Sequence, residues 1–309
     1  MSLKLQDIFD VKGRVVLVTG GGTGLGKAIT SGFVQNGAKV YITGRRQQVL
    51  EEAAKEIGGD IIPIRGDVGT KEGCKAIADA LSAKETKASI MLDILINCAG
   101  VMRAYKTAIK NHDNPDEVEK LLWDGHDDDD FNYSNSININ GPYFMTCALI
   151  PLLRKSDLRS VVIIASIAGL ANQRYVSKIF PAWQYDANFE LTIRAMGSVS
   201  YGVSKAAAIH LGKLLAGRLH PLKIRVNTIC PGIFPSEMTG KNDAGQGLEY
   251  DIGEGPSKAA KRSTVGRPGL PEEIVGPVLL LSSKAGGYFD GAMLTVDGGR
   301  LMCGADDGG

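Results

Sequence analysis

The chemistry open to this sequence is suggested first by Tyr201 and Lys205, which stand four residues apart in Tyr-Gly-Val-Ser-Lys. On a helix, side chains at this spacing lie on the same face, one turn apart. A free phenol has a pKa of about 10, and a neighbouring ammonium lowers that pKa toward the working range of a general acid or base. The alternative is an ordinary amphipathic helix on which Lys205 extends along the surface.

The elements that must position this pair alternate between strand and helix. Short apolar runs predict strands at 15–19, 40–43, 61–64, 92–97, 161–165, 224–229 and 293–296. Helices are predicted at about 24–36, 47–57, 71–81, 131–153, 201–219 and 271–283. Continuous apolar strands joined by helices predict an α/β fold with a doubly wound, mostly parallel seven-stranded sheet and helices on both faces. No linker divides the chain, so we expect a single domain over residues 1–309.

Three less regular stretches interrupt this alternation, near 103–130, 171–198 and 233–262. The first ends in the run His126-Asp127-Asp128-Asp129-Asp130, which we interpret as a solvated loop rather than a metal site. The second contains four aromatic residues, Phe180, Trp183, Tyr185 and Phe189. It is predicted to form part of a substrate lid together with the 233–262 loop, or else a contact between subunits.

A glycine-rich turn, Thr19-Gly20-Gly21-Gly22-Thr23-Gly24-Leu25-Gly26, follows the first strand and opens a helix. Bare backbone and the unpaired N–H groups of a helix N-terminus suit the pyrophosphate of a dinucleotide. The second strand ends in Thr43-Gly44-Arg45-Arg46 with no acidic residue to bind a ribose 2′-hydroxyl. We therefore favour NADP(H) over NAD(H), with Arg45 the better candidate for the 2′-phosphate and Arg46 a second one.

With these parts in place the chain resembles the short-chain dehydrogenase/reductase family along nearly its whole length, and the resemblance implies a Rossmann fold. The matching segments are Thr19 to Gly26, Asp67-Val68, Asn97-Cys98-Ala99-Gly100, Ile137 to Gly141, Ile163 to Gly169, Tyr201 with Lys205, Pro231-Gly232 and Val296 to Gly299. Within the family, the stretch Pro235 to Thr239 resembles the bacterial and fungal ketoacyl-type reductases more closely than the steroid enzymes. The sequence departs from the family in a cysteine in place of the second asparagine, at Cys98. It also has two long insertions, one between Gly100 and Asn138 and one between Ser166 and Tyr201.

The resemblance implies a catalytic tetrad of Asn138, Ser166, Tyr201 and Lys205. Tyr201 would exchange the proton, Lys205 would lower the Tyr201 pKa and bind the nicotinamide ribose, and Ser166 would hold the substrate oxygen. Asn138 would hold a water that links Lys205 to solvent. The cofactor-binding residues implied are Gly20, Thr23, Gly24, Leu25, Gly26, Arg45, Arg46, Asp67, Val68, Asn97, Ala99, Gly100, Tyr201, Lys205, Pro231, Gly232, Ile233 and Ser236. No metal is implied.

The expected activity is NADP(H)-dependent reduction of a ketone, aldehyde or 3-ketoacyl carbonyl to an alcohol. Three alternatives stay open: an NAD-dependent alcohol dehydrogenase working oxidatively, an isomerase, dehydratase or epimerase, and a non-redox regulatory protein. The net charge of +1 gives no argument for a nucleic acid or membrane partner. Five scattered cysteines and no apolar signal or membrane span indicate a cytoplasmic protein with reduced thiols. The family resemblance implies a homodimer or homotetramer and a small-molecule substrate.

Overall fold

A single parallel sheet forms the centre of the fold. The computed structural model of the chain describes residues 2–84, 91–109, 111, 113–171, 198–239 and 252–303. Within them, strands β1 to β7 are Val15–Thr19, Lys39–Gly44, Ile61–Arg65, Ile94–Asn97, Ser160–Ile164, Arg225–Pro231 and Met293–Val296. Their order across the sheet is β3-β2-β1-β4-β5-β6-β7, with every pairing parallel. The predicted α/β fold with a seven-stranded doubly wound sheet is confirmed.

Helices cover both faces of this sheet. Numbered α1 to α10 among the described residues, they are Leu5–Ile8, Gly24–Gln35, Gln47–Ile57, Lys71–Lys84, Pro115–Asp124, Asp128–Asn135, Gly141–Leu153, Val199–Leu219, Glu254–Lys261 and Pro271–Leu281. A π-helical turn, Ser136–Asn140, joins α6 to α7. Short 3-10 turns occur at Ile167–Gly169, His220–Leu222, Lys284–Gly286 and Arg300–Met302. No described helix has both the length and the apolar character needed to cross a membrane.

Two hydrophobic cores lie on opposite faces of the sheet because successive strand residues point to opposite sides. In β1, Leu17 belongs to the core shared with α4, α7 and α8, whereas Val16 and Val18 belong to the core shared with α2, α3 and α10. All three side chains are fully buried. Burial on both faces explains why the strands read as continuous apolar runs rather than as alternating ones.

The acidic run predicted as a solvated loop instead begins helix α6, and the sequence interpretation was wrong there. The Asp127 carboxylate accepts a hydrogen bond from the Asp130 backbone N–H at 3.0 Å, and the Asp130 carboxylate accepts one from the Asp127 N–H at 3.2 Å. This reciprocal cap satisfies two helix N-terminal donors. Acidic side chains in the first turn also interact favourably with the positive end of the helix dipole, so consecutive aspartates are compatible with a helix start.

Two of the three irregular stretches contain helices that the sequence pattern did not predict. Helix α5 lies inside the 103–130 insertion and is capped by Asn114, whose side chain accepts from two backbone amides. Helix α9 lies inside the stretch interpreted as a loop at 233–262. Residues 172–197, including Phe180, Trp183, Tyr185 and Phe189, and residues 240–251 lie outside the described part of the chain. The predicted lid or subunit contact formed by 171–198 therefore stays a prediction.

Candidate active site

The loop after β1 packs so closely that several of its positions require glycine. Gly20 has φ +68°, and a Cβ there would stand 3.0 Å from the Cα of Ala99. A Cβ on Gly26 would stand 2.1 Å from the Gly20 carbonyl oxygen, so α2 can begin directly against the loop only with glycine at this position. Thr23, the residue before α2, makes no side-chain bond to the helix N-terminus. The first N–H groups of α2 are thus not capped by that side chain.

Thr19 joins this loop to the turn after β4. Its hydroxyl oxygen accepts hydrogen bonds from the backbone N–H groups of Cys98 and Ala99, both at 3.0 Å. The two segments come from neighbouring strands, β1 and β4, at which the strand order reverses along the sheet. Ligands of open α/β sheets bind in the crevice at such a reversal.

A cavity of about 400 Å³ opens beside this crevice. Eight residues that the sequence predicted as cofactor-binding line it, namely Gly20, Thr23, Arg45, Arg46, Asp67, Val68, Ala99 and Gly100. Val101, Ile137 and Glu237 also line it and were not predicted as cofactor-binding residues. Ile137 and Glu237 lie within segments that carry the family resemblance, but the resemblance assigned neither of them to the cofactor.

The two arginines after β2 are both engaged at the rim of this cavity. Arg46 forms a double contact with the Glu237 carboxylate, at 2.8 and 3.0 Å. Arg45 donates to the Tyr133 hydroxyl at 2.8 Å. Arg103 stacks over the same tyrosine ring, with its guanidinium carbon 4.1 Å from the ring centroid. The cavity rim is therefore rich in guanidinium groups, with Glu237 as a carboxylate partner.

Asn97, predicted as a cofactor contact, points into the protein interior. It is buried, and its side-chain amide donates to the Thr146 hydroxyl at 3.2 Å. Thr146 in turn donates to the Pro142 carbonyl of α7 at 2.6 Å. The Asn97 side chain therefore ties the end of β4 to α7.

Ser166 and Tyr201 meet despite their long separation in the sequence. The Ser166 side chain hydrogen-bonds with the Tyr201 phenol and accepts a hydrogen bond from the Ala168 N–H at 3.1 Å. The 3-10 turn after Ser166 lies against α8: a Cβ on Gly169 would stand 2.5 Å from the Ala206 backbone nitrogen. This close approach requires glycine, and it brings the end of β5 beside the second turn of α8.

Lys205 lies behind this pair, buried among the ends of the central strands. Its ammonium donates to the Ile164 carbonyl at 3.1 Å and stands 5.7 Å from the centroid of the Tyr201 ring. Burial lowers the Lys205 pKa to about 8, while Cys98 and Cys230 act in the opposite direction. A Cβ on Gly100 would stand 3.2 Å from the ammonium nitrogen, which is closer than an ordinary van der Waals contact. Glycine at position 100 therefore leaves room for the Lys205 ammonium.

Asn138 connects three elements from the π-helical turn. Its side-chain nitrogen donates to the Val101 carbonyl at 2.8 Å and to the Ser204 hydroxyl at 2.9 Å. Its side-chain oxygen accepts from the Val101 N–H at 2.9 Å. The π-helical turn is buried at Ile137 and Asn138, and such turns often occur at functional sites. Both amide donors of Asn138 are thus engaged by protein groups.

The Tyr201 pKa differs from the sequence expectation, which was wrong on this point. Burial raises the Tyr201 pKa to about 12, and the hydrogen bond with Ser166 lowers it only in part. Removing a phenolate from water costs more than its single hydrogen bond returns. Lys205 does not offset this cost, because its ammonium is directed to the Ile164 carbonyl.

A second cavity, of about 630 Å³, opens on the Ser166 and Tyr201 side chains. Its lining includes five residues predicted to bind the cofactor, namely Leu25, Pro231, Gly232, Ile233 and Ser236. It also includes five apolar side chains and two arginines, namely Met102, Val199, Val203, Phe234, Met238, Arg262 and Arg300. Gly24 lies beside it, since a Cβ there would stand 3.0 Å from the Ser236 Cβ. The described part of the 233–262 stretch thus lines one side of this cavity.

Comparison with known proteins decides the family. A sequence profile described as short chain dehydrogenase matches residues 14–178, and one described as Enoyl-(Acyl carrier protein) reductase matches residues 190–300. The chain is also 34% identical over 302 residues to the short-chain dehydrogenase/reductase PhomF of Diaporthe leptostromiformis, covering 97% of this chain and 95% of that protein. The chain belongs to the short-chain dehydrogenase/reductase family. It is therefore an oxidoreductase of a family that uses a nicotinamide cofactor.

Two bacterial relatives extend this comparison. This short-chain dehydrogenase/reductase is 31% identical over 305 residues to the rhamnolipids biosynthesis 3-oxoacyl-[acyl-carrier-protein] reductase of Pseudomonas aeruginosa, covering 96% of this chain and 99% of that protein. The solved structure titled Pseudomonas aeruginosa RhlG/NADP active-site complex matches with a TM-score of 0.73 at 28% identity, covering 95% and 98% of the two chains. The resemblance inferred from the motifs is confirmed.

Proposed function

We propose that the protein reduces a ketone, aldehyde or 3-ketoacyl carbonyl to an alcohol with NADPH. The observation that carries this proposal is the Ser166–Tyr201 hydrogen bond at the floor of the 630 Å³ cavity, with Lys205 buried behind it. A serine and a phenol that share a hydrogen bond can both bind one substrate oxygen. The mostly apolar cavity wall suits an uncharged carbon chain beside that oxygen.

The crevice between β1 and β4 fits a dinucleotide. Glycine at 20, 26 and 100 leaves bare backbone where any Cβ would meet protein atoms, and α2 begins at this crevice without a cap from the Thr23 side chain. Asp67, Val68, Ala99 and Gly100 would hold the adenosine half, and Pro231, Gly232, Ile233 and Ser236 the nicotinamide half. Bound there, the cofactor supplies the hydride.

The preference for NADP rests on the guanidinium groups at the adenosine cavity. Arg45 and Arg46 line this cavity, and guanidinium groups bind phosphate through paired hydrogen bonds. The second strand ends without a carboxylate that could accept from a ribose 2′-hydroxyl. A similar solved structure is titled as an NADP complex, which supports the same cofactor.

The protein's part in the reaction is orientation and proton transfer. Ser166 would donate its hydroxyl proton toward the substrate oxygen and hold it near Tyr201. Burial keeps the phenol protonated, because the Tyr201 pKa is raised to about 12, and a protonated phenol is the form that donates. Lys205 would bind the nicotinamide ribose, and Asn138, through its remaining acceptor capacity, would hold a water on the path from Lys205 to solvent.

We further propose that the chain is one domain and assembles as a homodimer or homotetramer through α7 and α8. These helices present the apolar side chains of Tyr143, Val203 and Leu214 to solvent. Exposed apolar side chains on neighbouring helices are typical of surfaces that associate. Sedimentation of the purified protein measures this directly, and a monomer at micromolar concentration would contradict the proposal.

The activity is tested by following NADPH and NADH oxidation with a panel of ketones, aldehydes and 3-ketoacyl thioesters. We expect NADPH-dependent turnover with at least one class and a clear preference for NADPH over NADH. Turnover without net NADPH consumption would favour an isomerase or dehydratase instead. A preference for NADH would overturn the assignment of the cofactor while leaving the redox chemistry in place.

A further inference from the structure

The imidazole of His126 lies in an enclosed position between α5 and α6, outside the active site described above. Its side chain is only 5% exposed. The ring stacks on Tyr105 with centroids 4.4 Å apart, and Phe131 meets it edge-on at 5.8 Å. Tyr105 and His126 both belong to the 103–130 insertion predicted from the sequence. The packing fixes the orientation of the imidazole.

Both ring nitrogens face polar groups. Nε2 lies 3.2 Å from the Ser198 hydroxyl, and Nδ1 lies 3.6 Å from a carboxylate oxygen of Asp130. Asp130 is itself held by the reciprocal cap of α6 and by Lys106, whose ammonium is 3.1 Å from the same oxygen. Burial lowers the His126 pKa, which favours a neutral ring whose Nε2 can accept a hydrogen bond from the Ser198 hydroxyl.

Ser198 is the N-terminal cap of the helix that carries Tyr201. Its hydroxyl oxygen accepts from the Tyr201 backbone N–H at 3.4 Å and lies 3.0 Å from the Ser200 hydroxyl. The Tyr105 phenol hydrogen-bonds with the backbone of Val199, the first residue of the same helix. The insertion therefore reaches the first turn of α8 through two side chains, Tyr105 directly and His126 through Ser198.

We propose that His126 is a positioning residue that, through Ser198, holds the first turn of α8 where the Tyr201 phenol meets Ser166. The first turn of a helix is its least constrained part, because its N–H groups have no partners within the helix. Tyr201 lies in that turn, and a displacement of about 1 Å in a reacting group can cost on the order of a hundredfold in rate. The link adds a contact from the 103–130 insertion to this turn, besides the contacts that Ser166 and Gly169 make with α8.

This inference rests on the proposed reductase activity, and its test separates the two. Asparagine and glutamine at position 126 form a matched pair, since the glutamine amide reaches the position of Nε2 and the asparagine amide reaches only that of Nδ1. We expect His126→Gln to keep kcat within about threefold of the natural protein and His126→Asn to lower it about tenfold, with the KM for NADPH unchanged within twofold in both. Equal kcat values for the two variants would overturn the proposal.

Two further measurements test the positioning role even if a variant folds poorly or if the protein has no reductase activity. Ser198→Ala removes both the link to His126 and the cap of α8, and adding His126→Asn to it should give no further loss of kcat, because the link is already absent. Additive losses would contradict the link. Amide hydrogen exchange of Tyr201 and Gly202 needs no turnover: we expect faster exchange in His126→Asn but not in His126→Gln. Unchanged exchange in both would overturn the positioning role even if the reductase activity failed.

Discussion

The Arg46–Glu237 contact gives a quantitative prediction about cofactor affinity. Glu237 comes from the loop after β6 and makes two hydrogen bonds to Arg46 at the adenosine cavity. A 2′-phosphate bound by Arg46 must displace this carboxylate or share the guanidinium with it. Glu237→Gln removes the competing charge while keeping the size of the side chain, so NADPH should bind more tightly to the variant.

The size of the effect follows from the exposure of the pair. The side chains are 57% and 28% exposed, so the interaction is screened by solvent and lies in the range of surface pairs. The two-bond geometry places it near the upper part of that range, about 0.5–1 kcal/mol. Without the Glu237 carboxylate as a competitor for Arg46, the Kd of NADPH should decrease about two- to fivefold, at about 1.4 kcal/mol per factor of ten.

The assay is titration of NADPH and NADH into the purified protein, with cofactor fluorescence as the signal. Glu52→Gln is a matched control, since Glu52 is an exposed carboxylate on α3 that hydrogen-bonds with Gln48. We expect the Kd of NADPH to fall in Glu237→Gln only, and that of NADH to change less. An unchanged or weaker NADPH affinity would refute the reasoning that Arg46 faces the 2′-phosphate.

Three further predictions concern the same elements. Arg45→Asp should shift the preference from NADPH toward NADH, and an unchanged ratio of kcat/KM values would remove Arg45 as the residue that selects the cofactor. Thr19→Val keeps the shape but leaves two backbone amides without their acceptor, so the free energy of unfolding in urea should fall by about 2–4 kcal/mol; a loss below 1 kcal/mol would contradict the bridging role. The pKa of Glu273 is lowered to about 2, chiefly by Arg267. The stabilisation from this carboxylate is therefore present above its unfolded pKa of about 4.3 and is lost as the pH falls toward 2, so Glu273→Gln should flatten the acid side of the stability profile.

The fold could be predicted well because its signals are local. Strands β1 and β7 and helix α3 lie where the sequence pattern placed them, since apolar runs and glycine stops depend on neighbouring residues alone. The acidic run was misread because a loop and a helix start share the same composition. What distinguishes a helix start here is the pair of hydrogen bonds that Asp127 and Asp130 exchange, and the sequence alone does not show them.

The sequence names candidate residues for the site but does not show how they are arranged. Ser166 and Tyr201 do meet, yet the reason lies in the close contact of Gly169 with α8, which no spacing reveals. Asn97 was assigned to the cofactor because its segment resembles a family motif, whereas its side chain is directed to Thr146. The Tyr201 pKa was expected to fall because of Lys205, but burial raises it and the Lys205 ammonium is directed to the Ile164 carbonyl instead. Burial is a property of the assembled fold, and the sequence does not display it.

The central claim, that Tyr201 is the proton donor of a carbonyl reductase, is tested most directly by Tyr201→Phe. Kinetics of NADPH oxidation with the best carbonyl substrate should be measured beside Tyr288→Phe, which removes a phenol hydroxyl from a fully exposed ring. We expect Tyr201→Phe to lower kcat by about 100-fold to 10,000-fold, in the range of general acid catalysis, while the Kd of NADPH stays within twofold. The control should match the natural protein. Activity of Tyr201→Phe within about tenfold of the natural protein would contradict the account.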